Sequence, residues 1–297
     1  MPIQTVQMFN FLHLLFLGVL VFSSLTAYFL CLRFGKEFAR RFCLVLIWGN
    51  FAIHFLKQLS PSYIAEWPTG LIRSTPENLC ALLITVSPFV YLSKNRYLKD
   101  YLVVVGLVSG VMAILIPTVP TGLGEKIQQS EGLLESIRYF ACHVPLVLVG
   151  ILSIAFDIHR PDYRRLWALP LLFMGAFLII FLDDLVMAGI GLLKPEPFYQ
   201  LFSRDFYNPS LVFGVTSNWD KVFSWAYYWL IPFLYHLPNG ELAFVPVIWP
   251  LLALYFAVYP LFFLAYMPFQ HKRMKEDFLA LRARFKEKRA SSKGKDS

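Results

Sequence analysis

Long apolar runs alternate along the chain with short polar connectors. Runs at 9–32, 42–56, 78–93, 101–122, 139–156, 166–193 and 242–268 carry no charged residue except Asp183 and Asp184. A hydrocarbon core about 30 Å thick takes roughly 20 apolar residues as a helix, and fewer where polar ends reach the interface. None of the runs shows the period-two alternation of a membrane barrel, and a backbone in lipid must satisfy its own hydrogen bonds. The pattern predicts an all-α polytopic membrane bundle of seven transmembrane helices over residues 1–270, followed by a tail at 271–297.

Lys and Arg in the connectors set the orientation. Nothing basic precedes the first run, whereas Arg33, Lys36, Arg40 and Arg41, then Lys94, Arg96 and Lys99, then Arg160, Arg164 and Arg165 fall on one side with the tail. The other side holds Lys57, Arg73, Lys126, Arg138 and the sparse charges Lys194, Arg204 and Lys221. The N-terminus is therefore expected outside and the C-terminus in the cytosol. An uncharged run at 222–239, with Pro232, Pro238, Trp225, Tyr227, Tyr228 and Trp229, reads as an interfacial or re-entrant segment. As an eighth span it would carry the basic tail outside. Met274, Phe278, Leu281 and Phe285 form a helical stripe in the tail, suited to an anionic inner leaflet.

Composition agrees with lipid as the solvent. Hydrophobic residues make up 57% of the 297 and charged residues 15%, with mean hydropathy +0.56; a soluble domain carries about 25% charge. The net charge of +8 is local, because ten of the 27 Lys and Arg follow residue 270, so it does not indicate nucleic acid. The first run has no preceding Lys or Arg and no small-residue cleavage pattern after it, so it reads as a span and not as a leader. Four cysteines show neither metal nor disulfide spacing. No phosphate-cradling Gly loop, G-x-S-x-G elbow or haem-type His pair is present, and no cofactor is expected.

Polar residues inside spans are costly, so their depth is informative. Cys80 falls two residues into the third helix and His143 four into the fifth, both entering from outside. His13 and His54 fall at the outer ends of the first and second helices. A thiolate that attacks an acyl carbonyl, with an imidazole to take and return the proton, needs these residue types. Thr75 and Pro76 read as N-cap and first helical residue, Asn78 as a possible oxyanion donor, and Arg73 or Arg138 as lipid-phosphate contacts. The plain readings are a small buried Cys, a Cys80–Cys142 disulfide and a helix-bridging His. Asp183 and Asp184 read as one functional carboxyl, orienting a His or relaying protons, or as a protonated interhelical contact. A zinc site from His54, Cys80, His143 and Asp183 lacks the close spacing of zinc motifs.

The stretches FNFLHLLFLGVL with His13, TPENLCALLITVSP around Cys80, GLVSGVMAILIPT, IRYFACHVPLVLVG around His143 and the closing AYMPF resemble the YwaF-like bacterial integral membrane proteins. The eukaryotic relatives of those proteins are the transmembrane protein 164 acyltransferases. The resemblance implies lipid acyl transfer, with Cys80 as nucleophile and His143 as its partner. In the eukaryotic relatives the acyl group passes between phospholipids, with ether phosphatidylethanolamine as an acceptor. Asn78 stands where many bacterial members carry a His, and the loop 194–241 lies outside the recognised pattern.

The function expected is a Cys–His lipid acyltransferase working through a thioester on membrane phospholipids, donor and acceptor alike. A proton-coupled transporter built on Asp183 or Asp184 and a non-catalytic scaffold built on the tail are the alternatives. The setting is a multi-pass integral membrane protein, of the cell membrane if bacterial or an endomembrane if eukaryotic.

Overall fold

The structure, a computed structural model, describes residues 6, 9–115, 124–221, 224, 227, 235–236 and 242–293. Most of the run at 222–239, residues 116–122 of the fourth apolar run and the last four residues lie outside the described residues.

Helix α1, Phe11–Leu56, begins at Asn10, whose side chain accepts from the His13 N–H at 2.9 Å. The helix folds at Gly35, where φ is +84° and ψ −177°, a backbone that a Cβ disfavours. The two arms run back to back along α5, Gly124–Ala155. Phe16 stacks on Phe140 at 4.1 Å, Tyr28 meets Phe156 at 5.6 Å, and Lys36 pairs with Asp157 at 3.8 Å. The returning arm then reaches Asn50, whose Nδ2 donates to the Cys142 carbonyl at 2.8 Å. The expected first and second helices are thus the two arms that meet at Gly35, and Arg33–Arg41 is helical on either side of that residue where a loop was expected. Helical hydrogen bonding resumes directly after Gly35, supported by the Arg41–Glu37 pair at 3.3 Å. Ala27, Cys31, Ala39 and Cys43 bring the arms onto Leu148, Val149 and Leu152.

A short helix α2, Pro61–Ala65, and a 3₁₀ turn, Thr69–Ser74, lead to α3, Leu79–Leu92. Helix α4, Arg96–Leu115, packs antiparallel on α5 at glycine distance. A Cβ on Gly110 would lie 2.9 Å from Val147 Cγ2 and 3.1 Å from the His143 carbonyl. One on Gly150 would lie 2.9 Å from Leu107 Cβ. Close helix approach through small residues is the usual source of packing energy in lipid, where burial of apolar surface contributes little. Helix α6, Leu169–Gly189, joins the core formed by Leu82, Leu83, Tyr101, Leu146, Phe177 and Ile180.

The last expected span, 242–268, is only partly helical. Leu242–Ala243 pairs antiparallel with Tyr235–His236, α7 is Leu251–Ala253, a π turn covers Leu254–Val258, and α8 runs Tyr259–Lys293 with a bend at Gln270. Pro246 and Pro250 account for the late helical start, since each lacks the N–H a helix interior needs. Among the described residues four helical segments are long and apolar enough to cross a membrane: Phe11–Leu59, Arg96–Leu115, Ile137–Ala155 and Tyr163–Gly189. Leu79–Leu92 and Leu251–Leu264 are shorter apolar helices.

The two ends of the bundle differ. At one end Asp100, 1% exposed, accepts from Arg165 at 2.6 and 3.0 Å and from His159 at 2.6 Å. The start of the tail docks beside it through Arg164–Asp277, Arg273–Asp162 at 3.0 Å and Gln270 Nε2 donating to the Pro161 carbonyl at 2.9 Å. The opposite end gathers His13, His54, Cys80 and His143.

Overpacking the α4–α5 contact should be costly. Gly110→Val is expected to destabilise the bundle by about 1–3 kcal/mol, whereas Gly175→Ala, with nothing within 4 Å of its Cβ position, should not. Thermal unfolding in detergent reads both; an unshifted midpoint for Gly110→Val would contradict the contact.

Candidate functional site

The start of α3 presents Cys80. The N-cap is Asn78, whose Oδ1 accepts from the Ala81 N–H at 2.9 Å, and not Thr75 as expected. Pro76 accordingly lies before the helix. Ser210 Oγ, brought in from a distant loop, accepts the Leu79 N–H at 2.9 Å and fixes that register. Cys80 is the second helical residue, and its own backbone N–H meets no acceptor among the described residues. The thiol is partly buried beside the Ser109 hydroxyl of α4, with Tyr101, Tyr139 and Cys142 as its other ionisable neighbours. All four cysteines are free, so Cys80 and Cys142 are not a disulfide.

His143 sits on α5, well inside that helix. The helix starts at Gly124 and not near 139, because Glu, Lys, Gln and Leu through 125–138 favour helix even though the charged and amide residues among them do not favour lipid. The His143 Nδ1 lies 2.7 Å from the Tyr139 carbonyl. A carbonyl only accepts, so the proton is on Nδ1 and the lone pair of the neutral ring is on Nε2. The Tyr139 ring also packs on the imidazole, tilted by 42° with centroids 4.3 Å apart, and its hydroxyl donates to the Ala113 carbonyl at 2.9 Å. The His143 carbonyl abuts Gly110, the neighbour of Ser109, so the α4–α5 contact sets the spacing between the wall beside Cys80 and the imidazole.

The profile of the TMEM164 family matches residues 8–228. The chain belongs to the TMEM164 family. No curated protein and no solved structure matches it. The TMEM164 match includes Cys80, His143 and residues 194–228 of the loop 194–241 that lay outside the recognised pattern, and it ends before α8.

The remaining expected site residues of this TMEM164-family chain separate by what already holds them. His13, fully buried, accepts the Phe9 N–H on Nδ1 at 2.9 Å and so donates from Nε2 to the Ile114 carbonyl at 2.8 Å, stapling α1 to α4. Asn78 spends its oxygen on the cap, and its Nδ2 lies 3.4 Å from Glu77 Oε1. Asp183 accepts from the Thr75 hydroxyl at 2.6 Å, which puts α6 at the start of α3. Asp184 is 1% exposed, with Oδ1 unpartnered. His54 is buried with Nε2 unpartnered and Nδ1 3.5 Å from Lys57 Nζ. The guanidinium of Arg138 and the ammonium of Lys57 each lie over the Tyr63 ring, at 5.8 and 5.9 Å. Arg73 has a buried Nε with no partner.

Sequence reading missed Lys57, Asn50 and Tyr139. Lys57 counted only as a connector charge. Asn50, an amide in the interior of an apolar run, carried the same cost signal that singled out the histidines. Tyr139 lies one helical turn before His143, a spacing that places its carbonyl under the ring. The loop behind Ser210 is itself held together: Arg204 donates to Asp220 at 2.7 and 2.6 Å, which holds the Asp220 carboxyl below the usual range, and Tyr227 donates to the same carboxylate. Its Tyr207 hydroxyl donates to Glu77, and burial pushes that phenol far up. Among the described residues no three His, Cys, Asp or Glu converge as metal ligands.

Cys80 alone among the cysteines is partly exposed; Cys31, Cys43 and Cys142 are buried. A membrane-permeant maleimide should modify one thiol in the folded protein, read by intact mass, and none in Cys80→Ala. Equal labelling of the variant would place the reactive thiol elsewhere.

Proposed function

We propose that this chain is a membrane lipid acyltransferase in which Cys80 is the nucleophile and His143 the general base, within a seven-span, N-out bundle. The observation that carries the reading is the tautomer of His143. A backbone carbonyl holds the proton on Nδ1 and leaves Nε2 basic, and Tyr139, whose ring packs on that imidazole, is within electrostatic range of Cys80 on the first turn of α3.

In the first half-reaction Cys80 turns from Ser109 and gives its proton to His143 Nε2. The sulfur attacks the ester carbonyl of a phospholipid, and the oxyanion that forms is met by the Cys80 N–H and the positive end of α3. The ester C–O bond breaks, the acyl group remains on sulfur as a thioester, and His143 returns the proton to the leaving lysolipid oxygen. In the second half the hydroxyl of an acceptor lysolipid gives its proton to Nε2 and attacks the thioester. The C–S bond then breaks and the thiol is restored. No cofactor enters either half. Membrane phospholipids supply donor and acceptor, and the basic tail meets the anionic leaflet on the opposite face.

A second reading, a proton-coupled carrier, draws on Asp184, buried with one unpartnered oxygen. The two separate by mutation. In vesicles containing a phospholipid donor and a labelled lysolipid acceptor, Cys80→Ala should abolish transfer and His143→Gln should lower it by about 10²–10⁴-fold. Asp184→Asn should leave transfer within a few-fold. Transfer that survives Cys80→Ala contradicts the acyltransferase; solute uptake lost in Asp184→Asn and kept in Cys80→Ala favours the carrier.

A further inference from the structure

A buried lysine stands at the site end of the bundle with no carboxylate of its own. Lys57 follows α1 directly and is 8% exposed. Its Nζ donates to the Arg73 carbonyl and lies 3.5 Å from His54 Nδ1, and among the described residues no acidic oxygen comes within ion-pair distance. Arg73, on the 3₁₀ turn before α3, likewise has no acidic partner there, and its buried Nε makes no hydrogen bond. His54 is 2% exposed and keeps an unpartnered Nε2 in the same place. Arg138 shares the Tyr63 ring with Lys57.

Around Lys57 the cations Arg73 and Arg138 outnumber the one acid within electrostatic range, Glu77. Glu77 takes the Tyr207 hydroxyl, and Asp183 takes the Thr75 hydroxyl at 2.6 Å. Asp184 lies beyond them on α6. Buried cations are normally paired, because each loses several kcal/mol of hydration. A cationic group with spare donors on three side chains, enclosed in protein at the end of a membrane bundle, is short of an anion.

We propose that Lys57, Arg73 and His54, with Arg138, hold the phosphate of a glycerophospholipid headgroup. The phosphodiester would take one ammonium donor from Lys57, the guanidinium of Arg73 and the Nε2 side of His54. Lys57 is also within electrostatic range of Cys142, the residue preceding His143 and itself a neighbour of Cys80. The anchored headgroup therefore lies at the same end of the bundle as the thiol, and the ester bonds of a glycerophospholipid lie within a few bonds of its phosphate. The part of the inference concerning which ester is presented rests on the acyl-transfer reading; headgroup binding does not.

The test uses the full chain as Cys80→Ala, so that no turnover intervenes. Binding of a lysophosphatidylcholine, of a monoacylglycerol with the same chain and of inorganic phosphate is measured in a nonionic detergent. The lysophospholipid should bind at least tenfold more tightly than the monoacylglycerol, with inorganic phosphate competing only at far higher concentration. Lys57→Met should remove that preference and leave monoacylglycerol binding unchanged. Arg73→Gln, at a less buried position, should weaken lysophospholipid binding by about the same factor if Lys57→Met fails to fold. Equal binding of the two lipids, or a preference that survives both substitutions, overturns the headgroup site. Inorganic phosphate that binds as tightly as the lysophospholipid overturns it in favour of a free-phosphate site. Headgroup preference together with no acyl transfer by the wild type refutes the enzyme reading alone.

Discussion

Helices α4 and α5 approach so closely that neither Gly110 nor Gly150 could carry a side chain without moving the other helix. In lipid, apolar faces gain little from meeting each other, so a contact of this kind organises the surrounding packing. The rest of the bundle is arranged around it. The bent α1 lies along α5, α3 packs between α1 and α4, and α6 closes the core through Phe177 and Ile180. The same contact sets His143 against Gly110 and puts Ser109 beside Cys80, so helix spacing and site spacing are one quantity.

Charged groups gather at the two ends, and each end has its own character. The tail end is a satisfied ionic cluster built on Asp100, with the tail helix pinned against it. At the other end many polar atoms are spent on architecture: His13 staples helices, Asn78 and Ser210 cap α3, and Asp183 holds Thr75. What that architecture leaves unspent is the chemically useful remainder. It comprises the thiol of Cys80, the Nε2 lone pair of His143 and the donors of Lys57, Arg73 and His54.

The helices were legible in the sequence because lipid demands unbroken apolar runs, and 78–93 matches α3 to within a residue at each end. Element joins were less legible. Gly35 alone leaves the helical conformation, so the two arms of α1 meet with no loop between them, and the helix-forming residues 125–138 extend α5 beyond the apolar run that marked it. Local cap chemistry pointed to Thr75, with Pro76 after it, as the start of α3, whereas the helix is capped by Asn78. The choice depends on Ser210, some 130 residues away, which no local rule sees. The depth argument singled out Cys80 and His143 because a polar residue in an apolar run is conspicuous. Lys57 escaped it because a lysine between runs looks solvated, and only the packing of α2 and the Thr69–Ser74 turn around it encloses the charge.

The central claim is that Cys80 carries an acyl group during turnover. Wild-type protein mixed with a phospholipid donor, quenched in acid and analysed by intact and peptide mass should gain the mass of one acyl chain on the peptide containing Cys80. That mass should be removed by neutral hydroxylamine, as a thioester requires. Acyl transfer that proceeds with no hydroxylamine-sensitive adduct on Cys80, or with the adduct on another residue, would contradict the account.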